Sequence, residues 1–383
     1  MSRTALILGA GIGGVAASEA LRRRLPASDR VIVIDRADRH VFAASLLWLM
    51  VGERQPPDFS RPLRRLAGYG VEWREGAVTR IDPRHREVEI NGQVLVADAL
   101  IIALGADYAP ETIPGLKEAG MNLYTVAGAG AIRDAIADFA GARIVVLTAT
   151  PQYKCPAAPY EAAMLVDAHL RRRRLRERSE IAIYAAEPRP MFVAGPEIGV
   201  AVRGMIEARG IAYHPEHQVK DIDSAARRIA FTNGATTAFD LLIYVPPHRA
   251  PAVVRDAGLS NESGWIPVDR STLQTSFDGV FAIGDVNTIP LKMGRPLPKA
   301  GVFARGQAEV VAHNLAVAWT GKGRPRQFAG EGACFIETGG GRAGFGSGNF
   351  FAEPTPRVRM YGPGVLWHLG KVLYEKYWLF RHF

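Results

Sequence analysis

The chain contains two cysteines, Cys155 and Cys334, in different settings. Cys155 opens the run Cys155-Pro-Ala-Ala-Pro-Tyr-Glu161 at a strand-to-helix turn. Free helix N–H groups there would favour the thiolate, the form that attacks disulfides and electrophiles. Cys334 lies in Glu331-Gly-Ala-Cys-Phe-Ile-Glu337, beyond most of the chain. Such thiols are either inert core groups or a redox pair that the fold brings together. They are too few for a disulfide scaffold or a four-cysteine zinc site, and no metal centre is expected. Glu161 offers a carboxyl beside Cys155, either as a proton carrier or as a capping or surface group.

A second group of residues reads as a cradle for phosphate. The apolar run 4–8 leads into Gly9-Ala-Gly11-Ile-Gly13-Gly14, with Gly9, Gly11 and Gly14 in the spacing G-x-G-x-x-G. The first glycine permits a tight turn, the second admits a pyrophosphate to the backbone, and the third lets helix and strand pack closely. A helix to about Arg24 and a strand 30–35 complete a β-α-β unit. That strand ends on Asp35, where an acidic side chain accepts the ribose 2′-OH. A dinucleotide is the implied ligand.

The elements that must hold these groups follow in order. Residues 41–50 are apolar throughout and read as a buried helix or loop beside the cofactor, or as plain core. Segments 71–73, 86–90 and 93–96 alternate apolar and polar around Asn91-Gly92 and predict an antiparallel meander. Ala99–Gly105 is a fully apolar strand suited to a buried parallel sheet, and its Gly105 joins the cofactor-binding candidates. After Pro110 and Pro114 a second α/β pattern runs to 245, with a helix 130–140 and a strand 142–147. That strand runs into Thr148-Ala-Thr-Pro151 instead of glycines, which disfavours a nicotinamide dinucleotide as electron donor. Further on, an apolar strand ends in Gly284-Asp285, placed to hold a flavin's ribityl chain, and the cofactor is read as FAD. Pro298-Lys299-Ala-Gly301 then starts a helix whose N-terminus would stabilise negative charge on a reduced flavin.

Composition narrows the remaining choices. The formal charge is +9 and 48% of the 383 residues are hydrophobic, with a pI near 9.7. That balance implies an anionic partner without choosing it. The run 171–178, rich in arginine, reads as a solvated helix end, with a nucleic-acid or membrane patch as the alternative. No nucleic-acid module is recognised, and no nucleic-acid partner is expected. No leader precedes the first strand and no run is long enough to span a bilayer. A Gly-rich turn is read over 339–348. The last segment places apolar residues 365, 366, 369, 372, 373 and 380 at helical spacing, with His368, Lys371 and Glu375 on the other side. It matches a helix lying in a membrane interface, or one packed on the protein's own core.

Together these residues resemble the sulfide:quinone oxidoreductase family, relatives of flavocytochrome c sulfide dehydrogenase among the disulfide-oxidoreductase flavoproteins. The resemblance rests on Gly9–Gly14, Cys155–Glu161, Ala282-Ile-Gly-Asp285, the segment 298–307, Cys334 and Lys371-Val-Leu-Tyr-Glu-Lys-Tyr377. It implies an α/β fold with two Rossmann-like dinucleotide-binding domains, glutathione-reductase-like, plus a C-terminal amphipathic membrane-binding segment. The implied domains are 1–110 with 246–323 for FAD, 111–245 lacking the glycine fingerprint, and 324–383 for membrane and quinone. The resemblance further implies Cys155 and Cys334 as a sulfur-handling pair bridged at rest, Lys371 and Tyr374 as quinone-binding residues, and sulfide and quinone as partners. A peripheral place on the cytoplasmic face of the inner membrane, with a possible homo-oligomer, completes that expectation. Many relatives carry a third cysteine that is absent here. Cytochrome-linked sulfide dehydrogenation and type II NADH:quinone oxidoreduction are the nearest alternatives.

Overall fold

The computed structural model describes residues 2–383. Runs of apolar residues without polar alternation become parallel strands covered on both faces. Thr4–Leu8, Arg30–Asp35, Glu72–Glu75, Ala99–Ile102 and Val280–Ala282 form one parallel sheet in the order 280–282, 99–102, 4–8, 30–35, 72–75. A second parallel sheet runs 121–122, 241–245, 143–148, 180–185, 212–214. A strand from late in the chain thus closes the edge of the N-terminal sheet. It carries Gly284 and Asp285 to the same end of the sheet as the glycine turn.

The meander departs from its expected membership. Glu72–Glu75 pairs parallel with Arg30–Asp35, and the antiparallel meander is Val78–Asp82, Glu87–Ile90 and Gln93–Val96. The short helical segment Leu63–Tyr69 returns the chain to the sheet edge, so the alternating pattern at 71–73 serves a parallel neighbour. The turn at Asn91-Gly92 does form, with both residues at positive φ (49° and 75°). A further meander, Val219–Asp223, Arg228–Phe231 and Thr236–Ala238, has strands too short for periodicity to reveal.

The glycines of 339–348 also behave differently from expectation. Only Gly339, Gly340 and Gly341 turn, all at positive φ, and Arg342–Asn349 is the central strand of a three-stranded sheet with Glu331–Gly339 and Arg357–Gly364. Glycine in that strand answers close approach: a Cβ at Gly348 would enter the Arg357 carbonyl. Residues 45–51 lie in the core, in and around the short helix Leu46–Leu49, with Trp48 only 1% exposed.

Most of the arginine run, Arg171 to Arg174 and Arg178, is exposed as a solvated helix end should be, but Arg171 and Arg176 also join a clamp on a buried carboxylate. Helix Ala158–Arg172 carries the wholly buried Asp167, which accepts from Arg171 at 2.9 Å, Arg176 at 2.6 Å and Arg209 at 3.1 Å. Three guanidiniums neutralise one buried carboxylate and close the helix end onto the 212–214 strand region.

Helix Val365–His382 docks by its polar side. Lys371, Glu375, Trp378, Leu379 and His382 are buried. Leu366 (80%), Leu373 (67%) and Phe380 (85%) are the most exposed large apolar side chains on it, with Leu369 and Tyr377 along the same stripe. Glu375 accepts from Ser45 Oγ at 2.6 Å and from Arg54 at 3.1 Å. No helix among the described residues is long and apolar enough to cross a membrane.

Candidate functional site

The glycine fingerprint has the geometry its spacing predicts. Gly9 sits at φ 98°, and a Cβ there would clash with the Ala103 carbonyl. A Cβ at Gly14 would strike the Gly9 carbonyl oxygen, while at Gly11 it would meet open space. The last is the side from which a pyrophosphate can reach the backbone. Helix Ile12–Arg22 has no side-chain cap, and neither has Gly301–Thr320, which packs on it, so both N-termini keep free N–H donors.

Asp35 accepts from the backbone N–H of Ala10 at 2.6 Å and Ala37 at 2.8 Å, and each oxygen keeps a lone pair for a ribose hydroxyl. Gly105 and Gly284 both lie at positive φ (69° and 75°). The Gly284 N–H donates to Gln307 Oε1 at 2.7 Å, and Asn287 Nδ2 donates to the same atom at 3.0 Å. Free helix N-termini, a Cβ-free approach and the positioned Asp35 carboxylate fit an FAD.

Both cysteines line one largely apolar cavity of about 150 Å³, with Met191, Phe192, Phe303 and Phe350 among its walls. Both are free thiols in this structure. Cys155 sits at φ 49°, uncommon for a residue with a side chain. Its N–H donates to the Lys299 carbonyl at 2.7 Å, while Lys299 Nζ donates to the Asp285 carbonyl at 2.6 Å. Two hydrogen bonds thus join the cysteine turn to the Gly-Asp turn. Burial pushes the Lys299 ammonium down to about 8, against the Asp285 charge. The Tyr124 hydroxyl donates to the Lys154 carbonyl at 2.6 Å and stiffens the same turn.

The thiols are not pre-ionised. Burial, reinforced by the Glu161 charge, pushes Cys155 up to about 12. Burial, with Cys155 and Glu161 adding to it, raises Cys334 well above the usual thiol range. This overturns the expectation that helix N–H groups hold Cys155 as thiolate: desolvation outweighs the helix end.

Glu161 is neither a cap nor a surface group. It is 1% exposed, and its Oε1 accepts from Lys371 Nζ and from the Glu337 N–H, both at 2.8 Å. Burial alone would lower the Lys371 ammonium, but Glu161 and Glu337 outweigh it and hold it above its ordinary value. The Lys371 ammonium also lies 5.0 Å from the Trp48 ring centre. Tyr374, one turn on, is half-buried, edge-on to Phe42 at 6.0 Å between ring centres, with its hydroxyl 3.4 Å from Arg305.

The sequence reading missed Gln307, Lys154, Glu337 and His368 as members of this region. The His368 ring nitrogen Nδ1 lies 3.1 Å from each Glu337 carboxylate oxygen. Glu337 stands three residues after Cys334 on a strand, a spacing with no recognisable signature.

In the second domain the place that lacks glycines is internally filled. Glu187, just beyond strand Glu180–Ala185, is 4% exposed and accepts from the hydroxyls of Thr148 (2.8 Å), Tyr153 and Tyr160. In a nicotinamide-binding domain an acidic side chain just after this strand would meet the ribose. Here the chain's own hydroxyls occupy it.

Fold and site define a two-dinucleotide-fold flavoprotein with two free thiols lining one cavity. The chain belongs to the pyridine nucleotide-disulphide oxidoreductase family, which matches residues 3–308, and it is a flavin-dependent oxidoreductase with FAD as its cofactor. It is similar to the sulfide-quinone reductase of Aquifex aeolicus, 26% identical over 100% of this chain and 91% of that protein. It is also similar to the mitochondrial sulfide:quinone oxidoreductase of Mus musculus, 24% identical over 91% of this chain and 78% of that one. The solved structure of the Aquifex aeolicus sulfide:quinone oxidoreductase superposes with a TM-score of 0.90 at 23% identity, covering 100% of this chain and 91% of its own.

Proposed function

We propose that this chain oxidises sulfide, or a related small sulfur species, at Cys155 and Cys334 and passes the electrons through FAD to a quinone near Lys371 and Tyr374. The observation that carries this reading is the convergence of the only two thiols on one apolar cavity, joined through Lys299 to the Gly284-Asp285 turn. Starting from a bridged pair, hydrosulfide attacks one sulfur and breaks the S–S bond, leaving a persulfide on one cysteine and a thiolate on the other. FAD, when bound, would supply the two-electron carrier between the sulfur and the quinone. The apolar cavity walls exclude water from the sulfur. The Glu161–Lys371 pair stands beside both thiols, its ammonium favouring and its carboxylate opposing their negative charge.

Internal occupation of Glu187 argues against NADH as donor. The stripe of Leu366, Leu369, Leu373, Tyr377 and Phe380 is suited to lie in a membrane interface, where a quinone is available.

The test is flavin bleaching of purified protein under anaerobic conditions, by sulfide and separately by NADH, followed by reoxidation with a short-chain quinone. Sulfide should bleach and NADH should not; bleaching by NADH alone would overturn the reading. Cys155→Ser and Cys334→Ser should each lose sulfide bleaching and keep FAD bound. Activity retained in both would assign the cysteines a structural role.

A further inference from the structure

We propose that Glu337 and His368 form a proton relay that recharges the Lys371–Glu161 pair from solvent while quinone is reduced; this rests on the sulfide-to-quinone reading. Oxidising hydrogen sulfide to the sulfane level releases two electrons and two protons on the thiol side. Converting quinone to quinol consumes two of each on the other side. A path for protons to the buried quinone-side groups is therefore needed, and the buried ammonium of Lys371 cannot exchange with water directly.

The structure clusters suitable groups: the Glu337 carboxyl contacts His368, and the Glu337 backbone N–H bonds the Glu161 oxygen that holds Lys371. His368 stands one turn before Lys371 on the terminal helix. Its side chain is 21% exposed, against 1% for Glu337, 7% for Lys371 and 2% for Glu161. Its Nδ1 meets both Glu337 oxygens at 3.1 Å, which leaves Nε2 to exchange with the outside. The Glu337 N–H donates to Glu161 Oε1, the atom that also holds Lys371 Nζ. Lys371 is the strongest charge acting on the Glu337 carboxyl. Burial, opposed by Lys371 and His368, holds that carboxyl above its usual range, so it keeps a proton more readily than a surface carboxylate does. The edge of Trp48 covers His368 on the inner side, at 6.1 Å between ring centres, and Arg54 stacks on the same indole. Glu337 is the charged group in contact with the imidazole, Lys371 acts on the same carboxylate, and Arg54 stacks on the indole that packs against the ring. A proton taken up at Nε2 releases the one on Nδ1 to Glu337, and the carboxyl passes its own to the Lys371–Glu161 pair after that pair has given one up.

The experiment uses the FAD-loaded protein with its flavin photoreduced, so that no sulfide is needed, and follows reoxidation by a short-chain quinone across neutral pH. His368→Ala should slow reoxidation roughly tenfold or more and flatten its pH dependence, and added imidazole should restore the rate. Glu337→Gln should slow it similarly without rescue. Bleaching by sulfide is the comparison arm, and the loss in quinone reoxidation should exceed any loss there in both variants. In the oxidised protein, ¹⁵N NMR should find the His368 ring as the Nδ1–H tautomer, and Glu337→Ala should release it to a mixture. Wild-type rate and pH profile in His368→Ala, or a loss that imidazole leaves untouched, would overturn the relay alone. Failure of quinone to reoxidise the wild-type protein would instead overturn the sulfide-to-quinone reading and the relay with it.

Discussion

The indole N–H of Trp378 donates to Nε2 of His40 at 3.0 Å, while Nδ1 of His40 hydrogen-bonds the Ala10 carbonyl at 2.9 Å. The terminal helix is thereby tied to the glycine fingerprint through one imidazole. Both bonds require a neutral ring, with the proton on Nδ1. Burial pushes this histidine down from 6.5 to about 4. A depressed histidine contributes stability that is complete above about pH 6.5 and is lost as pH falls through about 4. The loss should approach 3 kcal/mol. Urea unfolding measured across that window should show the decline, and His40→Gln should make it shallower; an equal slope in the variant would refute the assignment.

Thiol reactivity should follow the burial of the cysteines. With Cys155 pushed up to about 12, alkylation by iodoacetamide should be slow at neutral pH and rise about tenfold per pH unit into the alkaline range. A plateau reached near neutrality would mean that the helix end, and not desolvation, governs the thiol. Mass spectrometry of the alkylated peptides separates the two sites.

The Glu161–Lys371 pair should be asymmetric under mutation. Lys371→Met leaves a buried carboxylate without its cation and should cost about 3–5 kcal/mol. Adding Glu161→Gln in the same chain should recover much of that loss. The readout is the urea midpoint of the two single variants and the double variant, and simple additivity would show that the pair is not coupled.

Membrane attachment should depend on side chains that contribute nothing to the core. Leu373→Ser and Phe380→Ser remove exposed apolar groups, each worth about 1.5–3 kcal/mol when buried in lipid. Each should weaken co-sedimentation with anionic vesicles roughly tenfold or more, while leaving the unfolding midpoint unchanged. Retained vesicle binding in the double variant would assign the stripe to another partner.

The cofactor machinery was the most legible part of the chain because its chemistry is local. Gly9, Gly11, Gly14 and Asp35 lie within one β-α-β unit, so spacing alone specifies the turn and the close approach and predicts where a ribose would be met. The strands 4–8, 30–35, 99–102, 143–148 and 241–245 announced themselves as apolar runs because parallel strands are covered on both faces. The short strands of the second meander and the glycine-bearing strand 342–349 did not. Their residues answer to neighbours far along the chain, and Gly348 in particular makes room for the Arg357 carbonyl.

What the sequence determined by itself was therefore the fold class, the dinucleotide cradle and the presence of two thiols. Only the tertiary structure decided what those thiols face and how charged they are. Cys155 at a helix start reads as a thiolate until burial and Glu161 are counted, and desolvation then reverses the sign. Lys371 and Glu375 read as one polar side of an amphipathic helix, but which side faces inward depends on partners on other elements. Glu161, Arg54 and Ser45 supply those partners, and with their charges met the polar side goes in and the apolar stripe stays out.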